Sequence, residues 1–167
     1  MFYLDVLEEF YKKDVKYLIV GGLAVNLHGV PRVTQDIDIV ISTDKKNILN
    51  IIGILTDLNY KPRLPVNPED LAYLEVVKEW IENRNMKAFS FYHKVDNFKV
   101  IDIVISHNLN FELAFENKIV KKVNGFNIYI TSIEDLINLK EYSGREQDLS
   151  DIEMLKKVKQ IHEDDNG

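Results

Sequence analysis

The segment GGLAVNLHGVPRVTQDIDIVI, residues 21–41, sets two chemical patterns close together. In its second half, DIDIVIS (36–42), Asp36 and Asp38 alternate with Ile37, Ile39 and Ile41. That is the spacing of a strand with both carboxylates on one face. Adjacent acids raise each other's proton affinity unless a cation lies between them. A hard, oxygen-liganded divalent ion such as Mg²⁺ suits such a pair. A strand whose outer positions simply face water has the same pattern, so Asp-x-Asp alone leaves both readings open. In the first half, YLIV (17–20) runs into Gly21-Gly22 and a short helix that Gly29 is placed to stop. A strand passing through glycines into a helix lets backbone amides approach a phosphate. Gly-Gly also serves as a plain tight turn; it is the succession of cradle and paired acids that a metal–nucleotide site requires.

A third acid lies downstream. Asp102 sits inside KVIDIVI, flanked by Ile101 and Ile103. A lone carboxylate among apolar neighbours is costly unless it finds a cation or donors; the alternative is an edge strand with Asp102 in water. If this strand lies beside residues 36–41, three carboxylates converge, enough to hold two metals for in-line phosphoryl transfer.

Helices are expected at the N-terminus (Phe2, Val6, Leu7, Phe10), over 44–58 with Asp44 as cap, and over 68–84 behind Asn67 and Pro68. KPRLPVNP (61–68) reads as a loop. KAFSFYH and FKVIDIVI read as strands joined near Asp96-Asn97, and KIVKKVNGFNIYIT as a hairpin turning at Asn124-Gly125. Ser132 and Asp135 form a capping-box pattern for a helix over IEDLINLKEY, a last helix spans about 148–161, and EDDNG reads as a frayed end. The expected fold is α+β, a mixed sheet flanked by helices with a helical C-terminal end over about 131–163. The length of 167 residues fits one domain spanning the chain.

Composition narrows the function. With 46 % hydrophobic and 29 % charged residues the chain is an ordinary globular sequence. It contains no cysteine, hence no disulfide, thiolate metal site or cysteine nucleophile, which fits the cytoplasm. The start is acidic and charge-interrupted, unlike a signal peptide, and no apolar run approaches the ~20 residues of a membrane span. A net charge of −6, with −5 in residues 131–167, argues against coating nucleic acid through bulk charge. The four histidines show neither metal spacing nor a paired nucleophile. Trp80, Phe89, Phe91 and Tyr92 suit either a core or a base-stacking surface.

Together, Gly21-Gly22, Gly29, Arg32, Thr34, Asp36, Asp38, Asp102 and the stretch LINLKEYSGREQDLSDIEML resemble the nucleotidyltransferases of the DNA-polymerase-beta-like superfamily. The likeness is to its small prokaryotic branch, which includes AbiEii-like toxins of toxin–antitoxin pairs, and it covers roughly residues 15–158. The resemblance implies a nucleotidyltransferase-like fold and Mg²⁺-dependent transfer of a nucleoside monophosphate from an NTP, such as ATP, to an acceptor hydroxyl. Asp36 and Asp38 would ligate Mg²⁺, two ions in all with Asp102. Asp102 would also take the acceptor's proton. Gly21, Gly22 and Thr34 would line the nucleotide, and Lys140 and Arg32 would meet phosphate oxygens. Many members carry Gly-Ser where this chain has Gly21-Gly22, so one hydroxyl contact is missing. Asp148 and Asp151 read either as helix-start acids or as partners that position Lys140 and Arg145. An RNA end, a protein or a small molecule stands open as acceptor, and an antitoxin or regulator as partner. A non-catalytic nucleotide- or partner-binding module on the same fold is the alternative.

Overall fold

The computed structural model describes residues 3–166; Phe2 lies outside them. YLIV forms β1 (Tyr17–Val20), buried throughout, as a continuous apolar run demands of a strand covered on both faces. Around it, β2 (Ile37–Ile41), β3 (Tyr60–Pro62), β4 (Ala88–His93), β5 (Val100–Val104), β6 (Ile119–Val123) and β7 (Phe126–Ile130) complete a mixed sheet ordered β3-β4-β5-β2-β1-β7-β6. β1 runs antiparallel to β2 and parallel to β7, and β2 runs parallel to β5. These directions put the end of β1, the starts of β2 and β5 and the end of β7 at one end of the sheet.

The helices are α1 (Leu4–Lys12), α2 (Gly21–Leu27), α3 (Lys45–Asp57), α4 (Leu74–Arg84), α5 (Phe111–Glu116), α6 (Ile133–Ser143) and α7 (Glu146–Asn166). α1 buries Val6, Leu7 and Phe10, and α3 buries Ile48, Ile51, Ile54 and Leu55, both at helical spacing. In β4 the alternation is visible in burial: Phe89 and Phe91 are in the core, while Ala88 and Ser90 are half-buried on the other face. The launch of α6 is tied to the sheet centre. The Thr131 backbone N–H and hydroxyl both donate to the Ile19 carbonyl, and Ser132 Oγ accepts the Asp135 N–H at 3.2 Å.

Several expectations are corrected in detail. The helix expected over 68–84 is split into a 3₁₀ turn (Pro68–Ala72), capped by Asn67, and α4. The break falls at Tyr73, whose backbone is extended; Tyr73 and Leu74 are both exposed, so no single apolar stripe runs through them. The start of the proline-rich loop is an edge strand, β3, which tolerates Pro62 at its end. Asp44 holds the cap position of α3 without a side-chain cap bond. α5, for which the sequence reading holds no element, starts where Asn110 Oδ1 accepts the Leu113 N–H. Of the end expected to fray, residues 163–166 are helical: α7 continues to Asn166, with Gln160 donating to Asp164 one turn on, and Gly167 lies outside the described residues.

At the end of the sheet away from the site, buried Asn47 ties three segments. Its Nδ2 donates to the carbonyls of Lys16 and Ser42, and its Oδ1 accepts the Lys16 N–H at 2.8 Å. Asn47→Ala is expected to cost about 1–3 kcal/mol, the desolvation penalty of buried groups left unpaired. Denaturant unfolding measures it, and a loss below 0.5 kcal/mol would show that water replaces the side chain.

Candidate functional site

A row of polar side chains crosses the sheet where the sequence places its acids. Val20 pairs with Asp38 across β1 and β2, Asp38 with Asp102 across β2 and β5, and Asp102 with Ser90 across β5 and β4. Residues in register on neighbouring strands share a face. Asp38 and Asp102 are within hydrogen-bonding reach of each other, and Ser90 Oγ donates to Asp102 Oδ1 at 2.5 Å. Burial first, then the charges of Asp102 and Asp36, push the Asp38 carboxyl up to about 7; Arg145 opposes the shift. Asp36 lies one residue before β2 and is less enclosed. Burial and Asp102 raise it, and Arg63 opposes. The strand neighbourhood expected from the sequence is therefore present, but Asp36 stands apart from the closely facing pair. Among the described residues no three His, Asp or Glu side chains form a ready-made metal cage. The Asp38–Asp102 pair alone has the donor chemistry of a hard divalent cation, with room left for ligands from outside the protein.

Gly21 is shaped by that pair. It has φ +66, and a Cβ there would stand 2.1 Å from Asp38 Oδ2, so a side chain would displace the carboxyl. Gly21 and Gly22 are also the first residues of α2, whose opening N–H groups have no partner within the helix. A Cβ on Gly22 would stand 2.9 Å from Thr34 Oγ1 and 3.2 Å from Arg32 Cζ. Thr34 thus brings a hydroxyl to the place where a serine at position 22 would bring one.

Lys140 and Arg32 meet at Asp151. Lys140 is 4 % exposed, and its Nζ lies 2.9 Å from Asp151 Oδ2 and 3.4 Å from Asp148 Oδ1. Arg32 Nη1 donates to the same Asp151 Oδ2 at 2.6 Å, and Gln147 Nε2 donates to Oδ1. Arg145 clasps Asp148 through its backbone N–H, Nε and Nη2. Burial would raise the Asp148 carboxyl, but bonds from Arg145 and Ser143 hold it down at about 2. Asp148 and Asp151, 1 % and 3 % exposed, are therefore more than helix-start acids: they bind Lys140 internally. The cation left at the surface is Arg145, its side chain 70 % exposed.

A cleft of about 460 Å³ joins these elements, lined by Gly21, Asp38, Asp102, Lys140 and Arg145 and, beyond them, by Lys87, Ser106 and His107. A larger groove of about 670 Å³ beside His28 and His162 contains none of the three aspartates named from the sequence. Trp80, Phe89 and Phe91 are core, their rings in contact at 5.7 and 5.3 Å, so no base-stacking surface forms from them. Ser90, Lys87 and Ser106 went unnoticed in the sequence, and His107 was read there only as one of four histidines with neither metal spacing nor a paired nucleophile. Only Ser90 left a signal there, as the polar residue alternating with Phe89 and Phe91.

Fold and site together define a nucleotidyltransferase. The chain belongs to the family described as nucleotidyltransferase of unknown function (DUF6036), whose model matches residues 4–164. Two solved structures share the fold. One is the lincosamide antibiotic adenylyltransferase LnuA with lincomycin bound, at 22 % identity, TM-score 0.56, covering 92 % of this chain and 93 % of that one. The other is ANT(2″)-Ia in complex with adenylyl-2″-tobramycin, at 11 % identity, TM-score 0.55, covering 93 % and 90 %. Among curated proteins no sequence matches the chain significantly. Among the described residues no helix is long and apolar enough to cross a membrane.

The raised Asp38 carboxyl has a measurable sign. In the unfolded chain it loses its proton near 3.8, in the folded protein near 7, so the folded state binds the extra proton between these values. Without metal, stability is expected to fall as pH rises across that window, by at most about 4 kcal/mol. Asp38→Asn is expected to flatten the slope and raise Tm at pH 8, read by thermal melts in EDTA. An unchanged slope would place the cost elsewhere.

Proposed function

We propose that this chain transfers a nucleoside monophosphate from a Mg²⁺-bound NTP to an acceptor hydroxyl and releases pyrophosphate. The observation that carries the reading is the register Val20–Asp38–Asp102–Ser90, which sets two carboxyls beside the glycine turn that opens α2. In this reading Asp38, Asp102 and Asp36 would hold Mg²⁺, two ions in all. The bound ions would supply charge neutralisation along the triphosphate. The backbone N–H groups of Gly21 and Gly22 and the Thr34 hydroxyl line the phosphates. Lys140 and Arg32 act on that region from the Asp151 anchor.

Asp102 takes the acceptor's proton, and the short bond from Ser90 fixes its carboxyl for that task. The acceptor oxygen bonds to the α-phosphorus. The bond from that phosphorus to the bridging oxygen breaks, and pyrophosphate leaves with the electron pair. Catalysis then consists of positioning and charge compensation, as phosphoryl-type transfer demands.

One domain, residues 1–167, carries this activity in the cytoplasm. The signature around Lys140–Asp151 supports a toxin paired with an antitoxin as its biological setting. An adjacent gene for a small regulator would bear on that. The non-catalytic alternative leaves unexplained why carboxyls that repel one another face the cleft. Asp36→Ala is expected to lower Mg²⁺-dependent incorporation of labelled NTP by at least about a hundredfold. Full incorporation by that variant would overturn the assignment of Asp36.

A further inference from the structure

The far end of the cleft differs in chemistry from the end that holds the aspartates. Lys87 is exposed and makes no ion pair among the described residues. The Lys87 carbonyl accepts the N–H groups of both Ile105 and Ser106, at 3.0 and 3.1 Å, which pins the start of β4 against the segment leaving β5. That joint brings Lys87, Ser106 and His107 to one lip of the cleft. His107 Nδ1 accepts the Leu109 N–H at 3.1 Å, so the ring carries its proton on Nε2 and is a donor there. The lip thus offers an ammonium, a hydroxyl and an imidazole N–H. The carboxylates lining the cleft are Asp38, Asp102 and Asp148, and Asp148 is already bonded to Lys140 and Arg145.

We infer that the acceptor is a small anionic alcohol, its phosphate or carboxylate held by Lys87, Ser106 and His107 while its hydroxyl reaches Asp102. This inference rests on the nucleotidyltransferase reading above and names the class of its second substrate. Spacing supports it. Ala88, next to Lys87, pairs with Val104, two strand residues beyond Asp102 and so roughly 7 Å away at about 3.3 Å per residue, the span of one sugar-sized molecule. Charge supports it from two sides. A lone ammonium with neutral donors attracts an anion and disfavours a polycation such as an aminoglycoside. The net charge of −6, concentrated in residues 131–167, repels a long polyanion while leaving a single charged group free to enter.

The first test is calorimetric titration of inorganic phosphate into protein saturated with Mg²⁺ and α,β-methylene ATP, so that the triphosphate site is filled. Wild type is expected to bind phosphate, and Lys87→Glu to weaken binding at least tenfold. Lys156→Glu, the same charge change on an exposed face of α7, should match wild type. Equal binding by both variants, or none by wild type, would overturn the inference. The second test follows label from [α-³²P]ATP into glucose 6-phosphate, gluconate, glucose, tobramycin and total RNA. Glucose 6-phosphate or gluconate labelled at least tenfold over glucose supports the inference and separates phosphate from carboxylate. Preferential label in glucose, tobramycin or RNA overturns it. Mg²⁺-dependent binding of the ATP analogue to wild type is read separately, so its loss would strike the underlying activity and leave the phosphate arm to decide the lip.

Discussion

Two carboxyls placed opposite each other on neighbouring parallel strands form the constraint around which this molecule is arranged. The register of β2 against β5 leaves Asp38 and Asp102 no way to separate while the sheet stays intact. Their mutual repulsion, sharpened by burial, is a standing cost of the fold. The surroundings are built to that pair: Ser90 donates into it, Arg145 tempers it from the rim, and Gly21 gives up a side chain to make room for it. A sequence selected for stability alone would place aliphatic residues at both positions. The acids make sense as half of a binding interaction whose other half is a cation.

Around the pair, the protein keeps two kinds of positive charge apart. Lys140 is buried and bound to Asp148 and Asp151; a buried cluster of this kind contributes through geometry more than through net stability. Its effect is to fasten α6, α7 and the Arg32 loop at one point. Arg145, held by Asp148, and Lys87, which makes no ion pair among the described residues, keep exposed charge on the lining of the cleft. An internal anchor and exposed contact groups are separate requirements, and they fall to separate residues.

Local patterns carried much of this into the sequence. The alternation of Asp36 and Asp38 with isoleucines, the unbroken YLIV run and the Asn124-Gly125 turn each depend on near neighbours, and each was legible. So was Asp102 as an acid out of place, because its apolar flanks are adjacent to it. The pairing of Lys87 with Ser106 was not legible, since it depends on which strands lie side by side. Tyr73, where one expected helix divides in two, was hidden because a helical period can be drawn across a break that tertiary packing imposes. The burial of Lys140 was half visible. Its spacing from Asp148 and Asp151 suggested a partnership, but the common anchor with Arg32 comes from a part of the chain 119 positions away from Asp151.

That last separation bears on how the enzyme comes into being. The glycine turn, both strands of the acidic pair and their covering helices precede Asp151 in the order of synthesis. Arg32 and Lys140 meanwhile have no counter-charge until α7 emerges. The acids that clasp α6 and the Arg32 loop are therefore the last part of the cleft to be made in each molecule.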